Sequence, residues 1–252
     1  MWTVYLTEAN LKKVFKKQYI YKLRACMNLF LFLAAAQGLA LLFSLGGIGA
    51  SGSGSTGVML MVKSYSSSII ITFTFFWAFV AAILLTTRDY RDMDFTFVTN
   101  RLSSNLSNMV FLVTAAAAGG LTAILGGVLL RIIVYYSSGP ANLLIDNFFV
   151  PPAELFIGFM AAFLYLFLIS SVGYLCGVLV QLSRAFIVIL PALFIGAPIL
   201  AERSDLVQNI VKAGDYILLE SSLPLLAAKT IFIGGLLFSA AALLSNKLEV
   251  RK

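Results

Sequence analysis

Hydrophobic and polar positions fall into long blocks along this chain rather than alternating through it. Uncharged runs lie between Arg24 and Lys63, Lys63 and Arg88, Arg101 and Arg131, Glu154 and Arg184, Arg184 and Glu202, and Lys229 and Lys247. A helix that crosses a hydrocarbon core needs roughly 20 consecutive apolar residues. The runs therefore predict six membrane-spanning helices, over about 27–45, 69–86, 109–130, 155–180, 186–200 and 225–244.

The segment ahead of the first run has a different pattern. Leu11, Val14, Phe15, Tyr19 and Leu23 recur at three- and four-residue spacing, while Lys12, Lys13, Lys16 and Lys17 occupy the other face. This spacing predicts a basic amphipathic helix lying in the headgroup plane, with Thr7 as its N-cap and Glu8 in its first turn. After the first span, residues 46–55 are almost entirely Gly and Ser and read as a flexible linker. Tyr135, Tyr136, Phe148 and Phe149 suit an interfacial aromatic belt. Pro151 and Pro152 open the next helix. Between the last two spans, Ser204 is placed to cap a short helix through Leu206, Val207, Ile210 and Val211, and residues 216–219 to return to the interface.

Composition agrees with the blocks. Of 252 residues, 60% are hydrophobic and mean hydropathy is +0.96, outside the range of soluble domains. Three regions follow: an interfacial helix (1–25), one membrane domain (26–246) and a short tail (247–252). The first run is too long for the apolar core of a cleaved signal, so it is read as an uncleaved span. The net charge of +7 does not point to nucleic acid. With the N-terminus inside, cytosolic segments hold 13 of the 18 Lys and Arg residues, which puts both termini in the cytosol. Cys26 and Cys176 then both lie toward the reducing side, where a disulfide is not expected.

The residue inventory excludes much chemistry. The chain has no histidine, so His-ligated metals and Ser–His or Cys–His nucleophiles are ruled out. No Asp or Glu falls within a span, which removes both carboxylate catalysis and the usual proton relay of an ion-coupled carrier. Ser66, Ser67, Ser68, Ser170 and Ser171 are read as hydroxyls bonding back to helix carbonyls. No phosphate-binding G-x-x-x-x-G-K-[ST] loop is present. Neither a catalytic centre nor a cofactor or metal site is expected in this chain. Small residues are frequent instead: Ala115, Gly119, Ala123 and Gly127 form a ladder, Gly173 and Gly177 a GxxxG pair, and Ala192 with Gly196 a similar spacing. Such positions let helices approach closely, and packing within the chain is the favoured reading.

One connection stands out. Residues 87–108 carry Arg88, Asp89, Tyr90, Arg91, Asp92, Asp94, Phe95, Phe97 and Arg101, charges of both signs with aromatic residues between them. A turn between helices needs only a few residues. Aromatic anchors inside a charged rim suit a surface for a soluble partner.

The layout resembles the permease subunit of ABC-2-type exporters. Shared features are a basic amphipathic helix, six spans, a long charged cytosolic connection after the second, a short cytosolic turn after the fourth and a helical outer segment before the sixth. The stretch Phe97-Val98-Thr99-Asn100-Arg101-Leu102-Ser103-Ser104-Asn105-Leu106-Ser107-Asn108 looks like permeases of this kind from Gram-positive bacteria. The resemblance implies a multi-pass protein of the bacterial cell membrane, working with a second permease copy or homologue and with a separate ABC ATPase subunit that holds ATP and magnesium. It implies docking of that subunit through Lys12, Phe15, Lys16, the charged connection just named and Arg184. It also implies a translocation path near Phe73, Phe75, Phe76 and Trp77, suited to an amphipathic or hydrophobic substrate. A membrane scaffold that recruits another cytosolic partner, and an ion-coupled carrier, are the competing classes.

Overall fold

A computed structural model describes residues 11–46, 48–55, 58–64, 66–87, 101–138, 150–183, 185–201 and 222–247, together with Tyr90, Gly214 and Glu220. The helices are α1 (Leu11–Ala25), α2 (Met27–Leu45), α3 (Ser68–Thr86), α4 (Arg101–Ser138), α5 (Pro152–Leu182), α6 (Phe186–Ala201) and α7 (Leu223–Lys247). Five of them, α2, α3, α4, α5 and α7, are long and apolar enough to cross a membrane. The remaining expected span, the fifth (186–200), is α6, a helix of 16 residues, about 24 Å long at 1.5 Å per residue. Thr7, Phe148, Phe149, Ser204 and residues 206–211 and 216–219 lie outside the described residues.

Residues 46–55 depart from the linker reading. Ile48–Ser55 (β1) pairs antiparallel with Val58–Ser64 (β2), from Ile48 opposite Ser64 to Ser55 opposite Val58, with a register shift between Ile48 and Ala50. Gly and Ser alone predict a coil. The following segment, Val58-Met59-Leu60-Met61-Val62, supplies the strand-forming residues that draw the small ones into a ladder.

The contacts between helices fix their directions. Along α2 and α3 the pairs are Leu29 with Trp77, Gln37 with Thr74 and Ser44 with Ser66, so these two run antiparallel. Gly119 of α4 faces Thr74 and Trp77, and Gly127 faces Ser67, so α4 also opposes α3. By contrast, Gly173 of α5 abuts Phe79 and Gly177 abuts Thr86, which makes α5 parallel to α3. Phe167 and Tyr174 of α5 both sit 5.7 Å from the Phe238 ring, and Gly234, one turn earlier on α7, meets Phe167. Thus α7 runs parallel to α5, and the chain returns to the opposite end of the bundle between Leu182 and Leu223.

In lipid the helices gain nothing by hiding Leu from a solvent that is itself apolar, so close packing and hydrogen bonds hold the bundle. The small-residue ladders serve that purpose inside the chain. A Cβ on Gly173 would lie 2.7 Å from the Phe79 carbonyl oxygen, and one on Gly120 would lie 3.3 Å from the Phe163 backbone nitrogen. At Gly196 no atom of the described residues lies within 4 Å of its Cβ position. Outward faces are apolar: Phe32 and Leu42 on α2, Leu125 on α4, Phe232 and Leu243 on α7. Such continuous apolar exterior fits hydrocarbon rather than water. Lys229, inside α7, pairs with Glu220.

Candidate functional site

The densest polar chemistry lies where α1 meets α4 and α5. Gln18 and Lys22 are four residues apart on α1, so they share one face. On α4, Ser103 with Ser107 and Ser104 with Asn108 repeat the same spacing. The two stripes meet. Ser103 Oγ donates to Gln18 Oε1 at 2.7 Å. The Lys22 ammonium donates to Asn108 Oδ1 and lies 3.5 Å from the Ser104 carbonyl. Asn108 Nδ2 then donates to Tyr174 OH at 3.2 Å, and that hydroxyl donates to Asn105 Oδ1 at 3.0 Å. Each donor feeds the next acceptor, an arrangement in which the bonds polarise one another. The junction is buried: Gln18 is 0% and Lys22 only 5% exposed. Gln18 Nε2 and Ser107 Oγ are buried with no hydrogen-bond partner among the described residues.

This alters the reading of α1. The described side that faces the bundle holds Gln18, Lys22, the adjoining Cys26 and Leu23, which packs against the main core cluster, while Lys16, Lys17, Ile20 and Tyr21 are exposed, so polar residues sit within the side that spacing marks as apolar. Polar residues go inside here because α4 offers a matching polar stripe. The connection before α4 is also shorter than expected, since residues 101–108 belong to the helix. The spacing of Ser103, Ser104, Ser107 and Asn108 against Gln18 and Lys22 was available in the sequence as two polar stripes at helical period.

Of the expected docking residues, few have described side chains. Lys16 is exposed on α1, with Lys12 and Phe15 on the same helix but their side chains outside the described residues. Arg101 opens α4. Tyr90 is half-buried and packs against the main core cluster instead of standing free. Arg88, Asp89, Arg91, Asp92, Asp94, Phe95, Phe97 and Arg184 lie outside the described residues.

The four residues expected along a path do not share a surface. Trp77 is 7% exposed, with its indole N–H donating to the Leu29 carbonyl at 2.8 Å. Phe73 packs against a second core cluster and meets the Phe43 ring at 6.0 Å. Both face the bundle interior. Phe75 and Phe76 instead line a groove of about 770 Å³ between α3, α5 and α6, together with Phe79, Ile169, Cys176 and Leu190. The split follows helical period: positions 70, 74 and 77 point inward and 72, 76, 79 and 83 toward the groove.

A smaller polar knot joins α2, α3 and α4 near mid-span. Gln37 Nε2 donates to Thr74 Oγ1 at 3.1 Å and Thr122 Oγ1 at 3.0 Å, and approaches the Gly119 carbonyl at 3.5 Å. Thr74 Oγ1 in turn donates to the Ile70 carbonyl at 2.7 Å. Ser171 likewise bonds back to Leu168 at 2.6 Å, as read from sequence. Cys26 and Cys176 are both buried and form no disulfide. Among the described residues no group of His, Cys, Asp and Glu is placed to hold a metal ion. Comparison with family models, curated proteins and solved structures gives no match to this chain.

Proposed function

We propose that this chain is the membrane-spanning permease subunit of an ATP-driven ABC exporter. It moves an amphipathic or hydrophobic substrate, such as a peptide, antibiotic or lipid, across a bacterial cell membrane. ATP and magnesium are bound by a separate ATPase subunit, and a second permease copy or homologue completes the path. Both termini face the cytosol. In this reading α6 is the fifth of six crossings: α5 and α7 run parallel, so the chain must come back, and about 24 Å of helix covers most of a ~30 Å core.

The observation that carries the proposal is the α1–α4 junction. Helix α4 begins at Arg101, directly after the charged connection, and Gln18 and Lys22 bind α1 to its first two turns. A partner pressing on the connection or on Lys16 would move a helix that continues through the whole bundle. Hydrolysis elsewhere is thereby coupled to the membrane domain without any titratable group at depth.

Gentle-detergent purification of the tagged chain from its native cells tests this reading. A stoichiometric ATPase is expected to accompany it, with ATPase activity stimulated by the permease and reduced by Phe95→Ala with Phe97→Ala. Purification without an ATPase favours the scaffold class. Transport that continues without ATP but stops when an ion gradient is collapsed favours the carrier class.

A further inference from the structure

We infer that the groove between α3, α5 and α6 is a binding site for one acyl chain of a bilayer lipid. The inference does not depend on the exporter reading. The lining is almost wholly carbon: Phe75, Phe76 and Phe79 from α3, Ile169 from α5, Ile187 and Leu190 from α6. Thr72 brings a hydroxyl, but that hydroxyl donates to the Ser68 carbonyl at 2.9 Å within its own helix. Nothing in this wall recognises a polar ligand, and water would find no partners there.

Size and shape then select the occupant. The volume of about 770 Å³ is roughly five times that of a ~150 Å³ apolar cavity that admits a single benzene. The groove extends along α3 from Thr72 to Ile83 and along α5 from Ile169 to Val180. Eleven helical residues rise ~16 Å, about half the thickness of a ~30 Å hydrocarbon core. That is the dimension of one lipid tail. Three helices wall the slot along its length. An unfilled apolar void forfeits contacts along its whole lining. The surrounding medium at this depth supplies flexible chains of the right section.

The test uses the full chain with Cys26→Ser, leaving Cys176 as the sole thiol, in vesicles of phosphatidylcholine and phosphatidylglycerol doped with a lipid carrying a mid-chain diazirine. After illumination, labelled residues are mapped by mass spectrometry. Phe76 and Phe232 are equally exposed, at 68% and 69%, so exposure alone predicts equal labelling. The inference expects several-fold more label on Phe76, Ile169 and Leu190 than on Phe232 and Leu236. It further expects Leu190→Trp or Ile169→Trp, whichever retains the parental thermal midpoint, to reduce groove labelling and leave Phe232 unchanged. Labelling that merely follows exposure overturns the inference. So does a Cys176–Cys176 cross-link between copies by a bifunctional thiol reagent with no lipid label in the groove, which assigns the slot to a second chain.

Discussion

Lys22 of α1 and Asn108 of α4 meet inside the protein, the ammonium donating to the asparagine carbonyl across 86 positions of sequence. A buried cation is tolerated only when its donors are occupied, and removing one partner exposes the whole desolvation cost of the other. Asn108→Leu removes one acceptor from the ammonium and strips Tyr174 of a donor. The expected loss is about 1–3 kcal/mol, the range for an orphaned buried polar group. Lys22→Met with Asn108→Leu should recover part of it, because both ends of the bond disappear together. Thermal unfolding in detergent of the two singles and the double gives the coupling. Additive losses would mean that the pair does not interact.

The glycines of α5 and α7 offer a sharper contrast. At Gly173 a methyl group meets the backbone oxygen of Phe79 at 2.7 Å and Ala82 Cβ at 3.0 Å, and a carbonyl cannot rotate away. Gly235 on α7 has nothing among the described residues within 4 Å of its Cβ position. Gly173→Ala should therefore separate α3 from α5 and destabilise by about 1–3 kcal/mol, as overpacking does. Gly235→Ala should be neutral or stabilise by up to ~1 kcal/mol through helix propensity alone. Equal effects at the two sites would refute the close α3–α5 approach.

These two relationships were unequally legible in the sequence. The block pattern gives the positions of α2, α3, α5, α6 and α7 to within a few residues, because a lipid-facing helix must be apolar throughout. GxxxG spacing identifies Gly173 and Gly177 as packing positions. What the spacing lacks is the partner: Gly196 has a similar local pattern and meets nothing among the described residues. The junction was missed for a related reason. Apolar periodicity on α1 marks a side with Leu11, Phe15 and Leu23, and helical spacing puts Gln18 and Lys22 on that same side. That these two polar residues turn inward depends on what α4 presents, which is known only once α1 and α4 are side by side. For β1, seven residues of Gly, Ala and Ser carry no strand signal of their own, and its pairing depends on the segment that follows.

Gln37 is the most central polar side chain in α2, and its removal should cost little. Thr74 Oγ1 already donates to Ile70 and Thr122 Oγ1 to the Ala118 carbonyl, so neither hydroxyl is orphaned when the amide goes. Interhelical hydrogen bonds in membranes average about 0.6 kcal/mol. Gln37→Leu, which roughly keeps the volume, should change stability by less than ~1 kcal/mol. Gln37→Ala opens a cavity between three helices and should cost about 2 kcal/mol or more. A chemical-denaturant series in mixed micelles measures both. If Leu proves as damaging as Ala, the hydrogen bonds rather than the packing hold the three helices there.

Trp77 tests whether α3 presents its aromatic residues to a path or to the bundle. Its ring is enclosed, with Phe30 at a centroid distance of 6.3 Å and the indole N–H on the Leu29 carbonyl. Trp77→Phe removes that bond and part of the ring volume. The bond itself is worth about 0.5–1.5 kcal/mol and the lost packing adds to it, so a clear fall in thermal midpoint is expected. With Trp2→Phe as background, Trp77 is the only indole in the protein. Its emission should be blue-shifted and quenched weakly by lipids brominated along the chain, because the bundle keeps those chains beyond contact. Strong quenching, together with an unchanged thermal midpoint in Trp77→Phe, would move this residue from the core of the bundle to a surface that lipid or substrate reaches.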